Sequence, residues 1–164
     1  MATLTKLESK LAEVLGLAMA AQDAAHEVRG MLGPEHEALA KKLDQAREDA
    51  RETQERCTVL AGTFNGKKTA IVDEAREVKQ EATEMRKAYL ADEEEPLDGF
   101  EFLTMAEAGE VGHWSIVAKL NEKAANPELR KLTDWALPIQ QRHLQEVLDG
   151  SLKLAADENP DEEA

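Results

Sequence analysis

Aromatic residues are scarce in this chain, with three Phe, one Tyr and two Trp among 164 residues. Sheets draw on aromatic and β-branched side chains, so this scarcity, beside abundant Ala, Leu, Glu and Lys, argues against a sheet fold and for helices. Cysteine is scarcer still, and Cys57 alone cannot form an internal disulfide. A single domain of this length buries about 70% of the surface of its unfolded chain, so it needs neither a disulfide nor a structural metal to fold. Basic residues are outnumbered, 20 Lys and Arg against 34 Asp and Glu, for a formal net charge of -14. With no basic stripe to reverse that field locally, phosphate backbones and anionic lipid are repelled, and neither nucleic acid nor a membrane surface is an expected partner. Halophilic adaptation is a second reading of the acidity. Long apolar runs are missing as well: none would span a bilayer, and "MATLTKLESKLAEVLG" mixes charged and apolar residues where a signal peptide has an unbroken apolar stretch. A reducing cytoplasm is the expected location.

What the chain does have is helical periodicity interrupted by clear punctuation. Leu4, Leu7, Leu11, Val14, Leu15, Ala18, Ala21, Ala25 and Val28 keep helical spacing up to "GMLGPEH", where two glycines and a proline end the first helix. A second helix is predicted from about Glu35 to Ala61, with Leu39, Leu43, Ala46, Ala50, Thr53, Cys57 and Leu60 inward, ended by "GTFNGKK". A third, from about Lys68 to Leu90, carries one stripe of Ile71, Ala75, Val78, Ala82, Met85 and Tyr89. After an acidic linker "ADEEEPLDG", a fourth helix is predicted from about Phe100 to Ala125 and a fifth from Pro127 to about Ala155, with Pro138 kinking it close to Gln140. Residues 1–155 thus form one helical domain, and residues 156–164, ending in "DENPDEEA", an acidic tail expected to be disordered because it has almost nothing apolar to bury.

Lengths suggest a topology. Four of the helices have about 26 to 29 residues, roughly 40 Å each, and the third is nearly long enough to carry the chain back over the same distance. The expected fold is an all-α four-helix bundle, up-down-down-up, with a helical crossover as its fifth helix. Within it, Glu110 and His113 lie 16 and 13 residues before Asn126, and Gln140 and His143 lie 14 and 17 residues after it. Both pairs therefore share a level, joined from the first helix by Gln22 and His26, and a polar layer is expected through the middle of the bundle.

"AEAGEVGHW" followed by "IQQRH" resembles the ferritin-like superfamily, where two helices each give a Glu and two others each give Glu-x-x-His, together holding two metal ions. "GEVGHWSIVAKLNEKA" and the five-helix layout are most similar to the YciE and YciF type of bacterial ferritin-like stress protein. Carried over, the resemblance implies Glu110 with His113 as one Glu-x-x-His, and Gln140 with His143 as the other with its glutamate replaced. The first helix offers Gln22 or Asp23 where a glutamate is expected, and the second only Asp49 and Glu52, at its margins.

A dinuclear iron site uses carboxylates as hard ligands and to neutralise the metal charge, which glutamine does not do. The candidate metal ligands are therefore Glu110, His113, His143 and His26, a set suited to one Fe, Mn or Zn ion. The same groups can instead satisfy one another by hydrogen bonding with no metal. The expected function is that of a ferritin-like bundle of stress-protein type with at most a reduced metal site, acting by self-association, as in a homodimer, or by binding a protein partner; a di-iron or di-manganese oxidoreductase or iron-handling enzyme is the alternative. His36 is read as an exposed first-turn residue, Cys57 as a small core residue, and Trp114 and Trp135 as anchors between the last two helices.

Overall fold

The computed structural model describes residues 2–162. It is all-helical, with five α-helices and no strand among the described residues: α1 (Lys6–Met31), α2 (Glu37–Ala61), α3 (Lys68–Tyr89), α4 (Pro96–Ala124) and α5 (Pro127–Ala156), plus one 3-10 turn at Pro34–His36. Among the described residues no helix is long and apolar enough to cross a membrane. Residues 157–162 are exposed and lie outside any helix, while the last two residues of the expected tail fall outside the described residues.

Helix ends follow local chemistry. Thr5 caps α1 in a reciprocal box, its hydroxyl accepting from Glu8 N at 3.3 Å while Glu8 Oε2 accepts from Thr5 N at 2.7 Å. The left-handed Gly66 (φ 70°) reverses the chain between α2 and α3. Asn126 caps α5 by accepting from Glu128 N and Leu129 N, both at 3.0 Å, and Asn121 ties the same turn from the end of α4. Pro138 lies inside α5, which continues as helix through it to Ala156. One boundary corrects the expectation: α4 starts at Pro96, not near Phe100. Proline suits the first turn, where its missing N–H has no intrahelical partner to lose. Gly99, expected in a turn, is instead helical and buried, and a Cβ there would lie 2.8 Å from Met31 Sδ and Val28 Cγ1.

Helix α1 packs against α2, α3 and α4, which explains a surface of small residues buried on several sides. It approaches α3 closely at Gly16, where a Cβ would come within 2.4 Å of the Ala75 carbonyl oxygen. Contacts from Ser9–Glu74 to Glu27–Arg86 run in the same order along both chains, so α1 and α3 are parallel. By the same reasoning α4 is antiparallel to α1, with Gly99 beside Val28 and His113 beside Glu13, and α5 is antiparallel to α2, with Gly150 beside Leu39 and Trp135 beside Arg56. Two apolar clusters result. One gathers Leu11, Leu15, Ile71, Trp114, Leu129 and Leu132; the other gathers Val28, Leu43, Phe100, Leu103, Val147 and Leu154.

The third helix departs from its predicted stripe in its last two turns. Ile71 and Ala75 are buried as expected, but Met85 is 63% and Tyr89 42% exposed, and Arg86 is buried in their place. Val78 and Ala82 stay partly buried, and the stripe then steps on to Arg86, which pairs with Glu27 of α1.

Candidate functional site: a buried carboxylate and imidazole layer

Along α4 the buried positions Phe100, Leu103, Glu107, Glu110, Trp114, Val117 and Asn121 alternate steps of three and four residues. That spacing keeps one seam facing α5, and Glu107 and Glu110 fill two of its middle slots. On α5 the seam runs Ala136, Gln140, His143 and Val147, and α2 adds Asp49. The polar layer therefore lies between the two apolar clusters.

His143 is its centre. Its Nε2 lies 2.9 Å from Asp49 Oδ2 and its Nδ1 lies 3.7 Å from Glu107 Oε2, the second an ion-pair contact outside hydrogen-bond length. Asp49 also accepts from Gln45 Nε2 at 3.0 Å and from Arg142, while its backbone oxygen accepts from the Thr53 hydroxyl at 2.8 Å. Burial by itself pushes the His143 imidazole down, but Glu107 and then Asp49 outweigh it and hold the pKa above the usual value. Glu110 sits beside this pair, accepting from Gln140 Nε2 at 3.0 Å. Burial and then the charge of Glu107 push its carboxyl well above the ordinary range, with the Gln140 hydrogen bond opposing them. The layer thus favours a protonated imidazole between two carboxylates and a neutral carboxylic acid next to them. Glu107 Oε2, Gln140 Oε1 and Trp114 Nε1 are buried without a hydrogen-bond partner among the described residues.

Of the candidate ligands, the structure brings only Glu110 and His143 to this layer. His113 is corrected from the core to the rim: its side chain is 38% exposed and its Nδ1 lies 3.0 Å from Glu13 Oε2. It falls one position past the seam that runs from Glu110 to Trp114. His26 is corrected further, since it is exposed on the outer side of α1 and 3.4 Å from Arg47 Nη1. Gln22 stays partly buried, donating to Gln54 Oε1 at 2.6 Å and to the Ala18 carbonyl. Asp23, its alternative, is exposed and pairs with Lys79.

Glu107 was missed, and Asp49, read only as a marginal position of the second helix, is buried in the layer. The regular three-and-four spacing of Phe100, Leu103, Trp114 and Val117 was the available signal for Glu107, because it leaves positions 107 and 110 as the empty slots. Asp49 had no comparable signal; it borders the α2 seam and is drawn in by a histidine 94 residues away.

The donor set does not fit a dinuclear centre. The layer holds three carboxylates, Asp49, Glu107 and Glu110, but one imidazole, His143; a centre built on two Glu-x-x-His pairs takes a second imidazole, and His113 and His26 lie outside the layer. Among the described residues no group of three or more His, Cys, Asp or Glu has a geometry that would hold a metal ion. Elsewhere, Cys57 is fully buried and its thiol is pushed up by that burial, which removes it as a nucleophile. Trp135 is half-buried under the Arg56 guanidinium, 4.1 Å from the ring centroid. No protein-family model matches the chain, and no curated protein is significantly similar to it.

Proposed function

We propose that the chain is a ferritin-like bundle of stress-protein type, up-down-down-up with α3 as the crossover, in which the metal-binding layer has been replaced by a proton-holding network. The observation that carries this reading is the placement of His143 between Asp49 and Glu107, with Nε2 paired to Asp49 at 2.9 Å and Nδ1 facing Glu107 at 3.7 Å. The parallel packing of α3 on α1 supports the crossover, since it returns the chain to the end where α4 begins. Such a network fixes the register of α2, α4 and α5, because a slip of either α4 or α5 would separate buried charges. At most it keeps a reduced capacity for one divalent ion, which would have to displace the proton on His143.

In this reading the protein acts by self-association, as a homodimer, or by binding a protein partner rather than by catalysis. Exposed Ile116, Leu148 and Leu152 on α4 and α5 support an association surface. Elemental analysis of the purified chain is the test, run beside a Glu107→Gln, His143→Gln double variant. Metal well below one equivalent in both is expected. One equivalent that the double variant loses while keeping its helical spectrum would refute the replaced layer, and two equivalents with ferrous oxidation above background would establish the di-iron alternative. Light scattering showing only an 18.1 kDa species at every concentration would remove self-association.

A further inference from the structure

Between the upper half of α3 and α4 lies an open cleft of about 250 Å³ whose floor is α1. Its walls are almost wholly apolar: Leu17, Ala21 and Ala24 below, Ala82 on one side, Phe102 and Ala106 on the other. Met85 and Met105, 63% and 49% exposed, stand at its rim on opposite sides. Flexible thioether side chains at a rim adapt to bodies of different shape. Along α4 the cleft spans Phe102 to His113, roughly 16 Å at 1.5 Å per residue.

One charged group lines it near the Phe102 end. Arg86 is only 8% exposed, and its Nε and Nη1 are buried with no hydrogen-bond acceptor among the described residues. Glu27 Oε2 lies 2.7 Å from Nε without making a hydrogen bond to it, so the pair is an electrostatic contact; Nε and Nη1 are closed off, and Nη2 is the donor a molecule in the cleft can reach. A buried guanidinium with unused donors is unfavourable unless something accepts from it, and its planar fork matches a carboxylate. Glu110 and His113 line its far end, and no Lys or other Arg lines the cleft.

We propose that this cleft binds a small monocarboxylate with an unbranched apolar chain, its carboxylate on Arg86 and its chain laid along Ala24, Ala21 and Leu17 toward His113. The apolar walls give the chain a place to leave water, and Arg86 fixes which end enters first. The assignment is independent of the layer beyond Glu110, since neither His143 nor Asp49 lines the cleft.

Titration of the full chain with octanoate and, separately, with 1-octanol tests it by calorimetry and by the methyl signals of Met85 and Met105. Octanoate should bind once per chain, at least about tenfold tighter than octanol, and shift both methionine signals. Arg86→Met should abolish the preference for octanoate while octanol still binds, which also shows that the variant is folded. Ala106→Leu, which keeps Arg86 and fills the wall, should weaken both ligands. Wild-type chain that fails to bind octanoate at about 1 mM, a preference that survives Arg86→Met, or binding that leaves Met85 and Met105 unmoved would each overturn the proposal.

Discussion

The two apolar clusters and the layer between them are built on the same helices, yet they depend on different things. In the cluster around Trp114 the side chains are held by volume, and what matters is that no space is left. In the layer, Asp49, Glu107, Glu110, Gln140 and His143 are held by charge and proton count, and a side chain of the right size with the wrong charge does not substitute. The difference teaches that one seam can carry two kinds of specificity: the clusters make the bundle stable, and the layer decides how its helices are aligned.

Removing volume should have the largest effect. Trp114→Ala is expected to destabilise by about 4 kcal/mol in urea unfolding, whereas Trp135→Ala, at a half-buried ring, should cost about 1 kcal/mol. Equal losses would show that the cluster is less tightly packed than its burial implies.

Breaking the layer comes next. Asp49→Ala leaves a buried imidazolium with one carboxylate fewer, and a loss of about 3 kcal/mol is expected. His143 has its folded pKa raised, so its contribution is fully present below the unfolded value of about 6.5 and is lost as pH rises through the folded value. The Asp49→Ala loss should therefore shrink with rising pH. A loss that is the same at pH 5 and pH 9 would mean that His143 is not charged in the folded chain.

Gly16→Ala tests the close approach of α1 to α3. Its Cβ would meet the Ala75 carbonyl and Val78, so α1 and α3 must separate, at about 2 kcal/mol. Glu110→Gln works in the other direction. Because the folded pKa of Glu110 is raised, the wild-type contribution is present below about pH 4.3 and lost as pH rises toward the folded value. The variant carries no such proton, so it should gain on wild type by roughly 1 kcal/mol per pH unit across that window. Parallel pH profiles for the two proteins would rule out a neutral Glu110. Smallest of all, Ala125→Gly should stabilise by about 0.5 kcal/mol, since Ala125 closes α4 at φ 52°, where glycine is unstrained.

Much of this architecture was legible in the sequence because it is local. Five helices, their turns at Gly33–Pro34, Gly66 and Asn126, and the shared level of Glu110, Gln140 and His143 follow from periodicity and counting. What was not legible depends on partners distant in the chain. His113 and His26 have the right spacing for inward positions within about one turn, but the helices they face decide which side is covered. Arg86 replaces Met85 and Tyr89 inside and pairs with Glu27 of α1, and nothing within α3 shows that. The ligand-like pair Glu110 and His113 was separated by a seam that runs through Glu107 and Trp114 instead.

The contact between Asp49 and His143 joins residues 94 positions apart, whereas α4 and α5 meet across one short turn tied by Asn121 and Asn126. Closing a long loop is slow relative to zipping a helical hairpin, so the expected order has α1–α2 and α4–α5 formed before the two hairpins dock. The layer closes only as the hairpins dock, and weakening it with Asp49→Ala should appear mainly as faster unfolding, with a smaller change in folding rate. The buried His143 is thus expected to act as a latch, with less influence on how quickly the chain finds its shape than on how long it keeps it.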